Sequence, residues 1–159
     1  MTILRKGLKK LTSNKTNAKN AVINIKSEQI AFGQAEPMEL DVLGKIYTKN
    51  NKIYIVYDEN DVLTEQNGFT IIKIMSDDEI FVTRNSSYSY CMNFKKGEQT
   101  FCNYNMPEGS LLLGINTTKV MWKRYDFGLE LMIEYNMEIN HSKISDNKFC
   151  LKLKENEND

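Results

Sequence analysis

The chain has 159 residues, of which 41% are hydrophobic and 10% aromatic, a composition typical of one globular domain that buries a core. Its 21 basic and 21 acidic residues cancel, but six bases and no acid fall within residues 1–20, so the remainder carries 15 bases and 21 acids. This acidic body argues against nucleic-acid binding except through the basic arm.

Other classes of protein are excluded by sequence patterns. The sequence has no apolar run near the roughly 18 residues that span a membrane, and residues 1–20 lack the apolar segment of a secretory signal. Cys91, Cys102 and Cys150 are odd in number and lack CxxC spacing, so neither a disulfide framework nor a zinc site is indicated. We therefore predict a cytoplasmic protein with reduced thiols.

Residues 1–20 form a basic N-terminal extension in which Leu4, Leu8 and Leu11 follow a helical spacing. A helix this short is marginal in water, and Gly7 weakens it further. We predict a solvated, flexible extension. Two alternatives stay open at this point: packing against the mouth of a barrel, and contact with RNA or anionic lipid through the basic residues.

The first strand is predicted over residues 21–32, with Ile23 and Ile25 on one row. Ser27 and Gln29 follow on the same row. If this row points inward, the two polar side chains need buried partners or a ligand, because an unpaired buried polar group costs on the order of 1–3 kcal/mol. Alternatively, a β-bulge shifts the register and both side chains face water.

Residues 36–94 predict consecutive antiparallel strands, since alternate residues are apolar, β-branched or aromatic and each run ends at Asn, Asp, Ser or Gly. Gly33 and Pro37 are expected to separate the first strand from the second. The second strand is long, and a bend is expected at Gly44. Asn50 and Asn51 then suit a two-residue turn, because Asn tolerates positive φ. Further strands are predicted over residues 52–58, 68–75, 79–84, 88–94, 99–106 and 110–124.

The clearest strand covers residues 127–140, where seven apolar residues stand at every second position. Glu130, Glu134 and Glu138 share its opposite, water-facing side. Residues 141–147 are predicted as a turn, residues 148–154 as the last strand and residues 155–159 as an acidic tip. No crossover helix is predicted between the strands, which indicates antiparallel pairing throughout.

The fold class predicted from these elements is all-β. A single open sheet of so many strands tends to curl, and closure removes its exposed edges. We therefore predict an antiparallel up-and-down meander closed into a barrel of about 8–10 strands, formed as a single domain by residues 21–154.

The order of several segments resembles the YwiB-like bacterial proteins of unknown function. The similar segments are SEQ at 27–29, EPMEL at 36–40, YTKNNKIYIVYDE at 47–59, TIIKI at 70–74, Arg84, and MNFKKG at 92–97. The resemblance covers residues 21–154. It implies a calycin-like, lipocalin-type barrel and implies no reaction.

Two cations stand on rows that are otherwise apolar, which is unusual because long charged side chains are rarely buried without a partner. Lys73 shares a row with Phe69, Ile71 and Met75, and Arg84 shares one with Ile80 and Val82. If both rows face inward, Lys73 and Arg84 enter the interior together.

Glu59 is then a candidate counter-ion, and the arginine fork suits a carboxylate of a side chain or ligand. A structural ion pair and simple exposure at the rim are alternatives. Gln29 and Tyr104 are weaker candidates for the same cavity. Six aromatic residues are candidates to line it or to form plain core: Tyr54, Tyr57, Tyr88, Tyr90, Tyr104 and Trp122.

No catalytic site is predicted, and no cofactor or metal is expected. His141 is the only histidine and falls among turn-forming residues, so a histidine-based triad or metal site is not indicated. Our first hypothesis is a small binding protein that holds a hydrophobic or anionic ligand inside the barrel. The alternative is a filled barrel that contacts protein or RNA through its surface and basic arm. The sequence leaves the oligomeric state open.

Overall fold

The computed structural model describes residues 18–61 and 66–156, without the side chains of residues 59–61, 66 and 67. Ten strands and no helix occur within these ranges. In chain order the strands are β1 (Lys19–Ala31), β2 (Gln34–Lys49), β3 (Lys52–Asp61), β4 (Gln66–Ser76), β5 (Glu79–Asn85), β6 (Tyr90–Lys95), β7 (Gln99–Met106), β8 (Gly109–Tyr125), β9 (Gly128–Ile139) and β10 (Ser142–Glu155).

All ten strands form one antiparallel sheet in the order β6-β5-β4-β3-β2-β1-β10-β9-β8-β7. The first and last strands pair along ten residues, from Ala21 opposite Glu155 to Ile30 opposite Asp146. The edges of the sheet are therefore β6 and β7, in the middle of the chain. A bridge between Ser89 and Asn105 joins them through N–H···O bonds of 2.9 and 2.8 Å. The predicted up-and-down barrel is confirmed as a nearly closed one, and we call the β6–β7 boundary the seam.

The core fills the barrel interior because the period of two in the sequence places every second side chain on the same face. Ile46, Ile55, Ile72, Val82 and Met92 stand in register across β2 to β6, and all five are buried. The opposite wall supplies a second buried set from β1, β9 and β10: Ile23, Ile25, Leu129, Leu131, Ile133, Leu151 and Leu153.

The close approach of β3 requires glycine at position 44, and the turn after β2 is as the sequence predicts. A Cβ atom at Gly44 would lie 2.5 Å from the carbonyl oxygen of Val56, so only glycine allows the neighbouring backbone this close. Asn50 and Asn51 have φ values of 52° and 63°, which confirms the two-residue hairpin turn.

The long turn predicted over residues 141–147 is wrong. Asn140 and His141, with φ values of 51° and 66°, complete the turn between β9 and β10 on their own, and β10 begins at Ser142. The polar residues that suggested a loop are strand residues near the rim. A register shift between Lys143 and Ser145 accommodates them.

Residues 33–37, predicted as a break between the first two strands, are also mostly strand in the structure. Gly33 lies in the turn with a φ of 74°, but β2 already starts at Gln34 and passes through Pro37. The strand tolerates this proline because β2 pairs with β3 only from Gly44 onward, so Pro37 has a strand neighbour on one side alone.

The first described strand begins at Lys19 and the last one ends at Glu155. Most of the predicted N-terminal extension, residues 1–17, and the last part of the acidic tip, residues 157–159, lie outside the described residues. In the described ranges, no helix has the length and apolar character required to cross a membrane.

Candidate functional site

A cavity of about 550 Å³ occupies the end of the barrel that carries the β1–β2, β7–β8 and β9–β10 turns. Side chains of the inward rows line it. The apolar members are Met38, Met92, Leu111, Leu113, Met137, Ile139 and Ile144, the aromatic members are Tyr90, Tyr104 and Tyr135, and the uncharged polar members are Ser27, Gln29 and Asn147. Glu28, Glu36, Pro37 and Lys148 contribute at its edge.

One wall of the cavity is polar because β1 keeps its register. Both neighbours of β1 pair with it continuously, so Ser27 and Gln29 stay on the inward row of Ile25. Asn147 faces Gln29 from β10 and donates a hydrogen bond of 3.0 Å to the hydroxyl of Ser145. Of the two alternatives for Ser27 and Gln29, the inward one is therefore correct and the bulge is wrong.

The opposite wall consists of tyrosines that meet across the seam. The rings of Tyr90 on β6 and Tyr104 on β7 stack with centroids 5.5 Å apart. Burial raises the pKa of Tyr90 and of Tyr135 to about 12 and also raises the pKa of Tyr104. Near neutral pH these phenols are therefore uncharged hydrogen-bonding groups at an otherwise apolar surface.

Arg84 stands beside this tyrosine wall, on the inward row of β5. In the sheet it stands between Thr70 and Tyr90, and its Nη1 donates a hydrogen bond of 3.4 Å to the Thr70 hydroxyl. Burial is the largest influence on the pKa values of Tyr57, Tyr90 and Tyr104, and it raises all three. The guanidinium charge of Arg84 acts in the opposite direction and offsets part of this increase. The charge therefore acts on two tyrosines of the cavity wall, and ligand contact by Arg84 itself stays a prediction.

Lys73 does not share the interior with Arg84, so that prediction is wrong. The inward row of β4 is formed by Ile72 and Ile74, which are 0% and 2% exposed. Lys73 alternates with them and points outward, where its Nζ lies 5.4 Å from the ring centroid of Tyr54. The row of Lys73 looked like a core row because its other members are apolar and half-buried on the outer face.

The remaining candidates divide into three kinds. Gln29 and Tyr104 both line the cavity. The backbone of Glu59 pairs with Gly68 on β4, whereas its side chain lies outside the described residues. Of the six aromatic candidates, Tyr90 and Tyr104 line the cavity. Trp122 does not line it, and its indole Nε1 donates a hydrogen bond to the carbonyl oxygen of Ser76.

The sequence reasoning missed several cavity residues. Tyr135 and Met137 belong to the strand with the clearest alternation, where they were assigned to a general apolar row. Nothing in that pattern separates residues that pack on one another from residues that face a cavity. The only signal was Tyr135, a hydroxyl-bearing side chain within an aliphatic row.

The lining of the cavity combines apolar surface, amides and neutral hydroxyls, with charged side chains at the edge. Among the described residues, no three His, Cys, Asp or Glu side chains are grouped closely enough to hold a metal ion. The molecule is thus a small antiparallel β-barrel with an apolar end cavity.

Comparison with known proteins defines it further. The chain belongs to the family described as a domain of unknown function, DUF1934, whose model matches residues 23–151. It is 28% identical over 117 residues to the uncharacterized beta-barrel protein YwiB of Bacillus subtilis (strain 168), a match that covers 74% of this chain and 80% of YwiB. The crystal structure of the ywiB protein from Bacillus subtilis is similar with a TM-score of 0.78 and 24% identity, over 87% of this chain and 93% of that one. The predicted family resemblance is confirmed.

Proposed function

We propose that this protein is a calycin-like binding barrel of the cytoplasm that holds one small, mostly apolar molecule in the end cavity. The observation that carries the proposal is the cavity itself. Its volume of about 550 Å³ lies within the range of roughly 300–1,000 Å³ that is typical of small-molecule pockets. Most of its lining is methionine, leucine, isoleucine and tyrosine, with a few polar groups on one wall.

The polar groups restrict the chemistry of the ligand. The wall formed by Ser27, Gln29 and Asn147 offers hydroxyl and amide groups that both donate and accept hydrogen bonds. On the other side, the phenols of Tyr90 and Tyr104 line the cavity, and Arg84 stands next to Tyr90 in the sheet. A ligand with an apolar body and an acidic end fits this arrangement, because the positive charge of Arg84 beside Tyr90 favours a negative group at that wall.

Native mass spectrometry of the protein purified from its source cells tests the proposal most directly. We expect an additional mass that stays with the native protein and is lost on denaturation, and its value gives the class of the ligand. A bare chain mass from several preparations, together with no uptake of added apolar acids, would count against the proposal.

A pair of neighbouring variants separates the cavity from the outer surface. Leu111 lines the cavity, whereas Leu112 is 59% exposed on the outer face of the same strand. We expect Leu111→Trp to block uptake of a fluorescent, dansyl-labelled fatty acid. Leu112→Trp should bind as the wild type does. Equal binding by both variants would place the probe outside the cavity.

The acidic end of the ligand is tested with two cations on adjacent strands. Arg84→Gln should weaken binding of the labelled acid and leave binding of its methyl ester unchanged. Lys73→Gln removes a charge on the outer face and should affect neither. The alternative function, an interaction module that uses the basic arm, predicts the reverse result: salt-dependent partner binding that is lost on deletion of residues 1–17 and is insensitive to Arg84→Gln.

A further inference from the structure

The end of the β1–β2 hairpin presents a phenylalanine to solvent. Phe32 and Gly33 form the two-residue turn between Ala31 and Gln34, and Phe32 is 98% exposed. Residues 29–35 carry no charge, and Ile30 beside the turn is also exposed. This end of the barrel therefore displays an apolar projection, residues 30–35, which we call the Phe32 tip.

The backbone of this turn is unfavourable for phenylalanine. Phe32 has a φ of 53°, a left-handed conformation that suits Gly or Asn and is rare for bulky residues. Asn50 and Asn140 begin two other two-residue turns, with φ values of 52° and 51°. The barrel thus uses asparagine twice at this turn position and keeps an exposed aromatic ring there once. Backbone strain of this kind is characteristic of positions that have a function.

An apolar groove of about 340 Å³ lies on the outer face of β8, β9 and β10. Met121, Met132 and Cys150 are neighbours across the three strands and line it, together with the ring of Tyr125. A cavity of roughly 150 Å³ in an engineered protein is sufficient to bind benzene, so this groove has room for a phenyl ring. Methionine sulfur atoms and aromatic rings both make favourable contacts with such a ring.

The tip and the groove differ in charge. Residues 27–44, which include the Phe32 tip, contain four acidic residues and no basic one. The groove lies between two rows of the sheet that together hold four lysines and two glutamates: Lys119, Lys123, Lys148, Lys152, Glu130 and Glu134. Opposite charges favour the encounter of two surfaces and suppress wrong contacts.

The Phe32 tip cannot enter the groove of its own chain. Cys150 in the groove pairs with Lys26 on β1, and Ala31 lies five residues further along this strand. At 3.3 Å per residue, the turn begins about 17 Å from the level of Cys150. Because β1 stays paired with β10 as far as Ile30, the tip is held at this distance. An aromatic ring in the groove must therefore come from another molecule.

We propose that the Phe32 tip of one molecule docks into the groove of a second copy of this chain. The contact is head-to-tail because the two surfaces differ, so each copy gives its tip to one neighbour and receives the tip of another. Contacts of this type build open chains or closed rings. A single aromatic anchor makes a small interface, and we therefore expect weak, reversible association. Phe32 does not line the end cavity, so the contact is independent of the proposed ligand.

Analytical ultracentrifugation of the full chain, at concentrations up to about 1 mM, tests the proposal. We expect the wild type to shift reversibly from monomer to larger species, and to do so less at high salt. Phe32→Asn places a residue suited to this turn at the tip and should weaken association by at least about tenfold. Met121→Glu adds an acid at an exposed position of the groove and should have a similar effect.

A mixture of these two variants tests the direction of the contact. Phe32→Asn keeps an intact groove and Met121→Glu keeps an intact tip, so together they should form one-to-one dimers and nothing larger. Phe101→Thr is the matched control, because it removes another exposed phenylalanine, on β7, and should associate as the wild type does. If Met121→Glu does not fold, as judged by circular dichroism, Lys152→Glu in the same groove takes its place.

Four results would overturn the proposal. They are a wild type that stays monomeric, unchanged association of Phe32→Asn or of the groove variant, a mixture of the two that forms no dimer, and loss of association in Phe101→Thr. Unchanged association of the groove variant together with loss in Phe32→Asn would indicate that tips contact each other or another surface.

Discussion

Gly44 is the position where one added methyl group should disturb the barrel most clearly. It pairs with Ala21 on one side and Tyr57 on the other, so both of its neighbours are strands. A Cβ atom there would lie 2.5 Å from the carbonyl oxygen of Val56 and 2.8 Å from Cδ1 of Ile23. The oxygen belongs to the backbone of β3, which cannot move without disturbing its pairing. We expect Gly44→Ala to lower the free energy of unfolding by about 1–3 kcal/mol, the usual cost of overpacking.

Gly114 provides the matched control on β8. The nearest atom to a Cβ there is Nε2 of Gln99, 3.1 Å away at the end of a flexible side chain. That side chain can move, and alanine reduces the entropy of the unfolded chain. We expect Gly114→Ala to change the free energy of unfolding by less than about 1 kcal/mol in either direction.

Guanidinium unfolding and thermal denaturation measure both variants. For a domain of this size, a change of 1 kcal/mol shifts the Tm by roughly 2–4 °C, so Gly44→Ala should lower it by roughly 2–12 °C. The reasoning is refuted if Gly44→Ala is as stable as the wild type, or if Gly114→Ala loses as much stability as Gly44→Ala.

Three further predictions concern pH, a turn and the core. Burial raises the folded-state pKa values of Tyr57, Tyr90 and Tyr135 to about 12 from an ordinary value of 10.0. Their contribution to stability is therefore present below pH 10 and is lost as the pH rises toward 12. A Tm that stays constant across this pH range would contradict their burial. His141 has a φ of 66°, so His141→Gly should stabilise the barrel by about 1 kcal/mol in urea unfolding, and a loss would show that the side chain makes contacts of its own. Ile133 is 0% exposed, and Ile133→Ala should cost about 2–5 kcal/mol in the same assay, whereas a cost below 1 kcal/mol would indicate a loosely packed interior.

The order of the YwiB-like segments indicated the family, and the sequence by itself determined the fold class and most strand positions. Alternation with a period of two, turn residues such as Asn50 and Asn51, and the absence of helical periodicity were sufficient, because strand and turn preferences act over a few neighbouring residues. The same local pattern placed Arg84, Gln29 and Tyr104 as candidates. It failed for residues 141–147, where polar strand residues near a rim resemble a loop.

Only the tertiary structure decided which row faces inward on each strand and where the barrel comes close to closing. The rows of Lys73 and Arg84 are both apolar in sequence, and only the pairing of β4 with β5 shows that they face opposite sides. The cavity and the seam both join strands that are distant in the chain or depend on their register. A period of two specifies two faces without saying which one is covered, because burial depends on the strands across the barrel and not on neighbours in sequence.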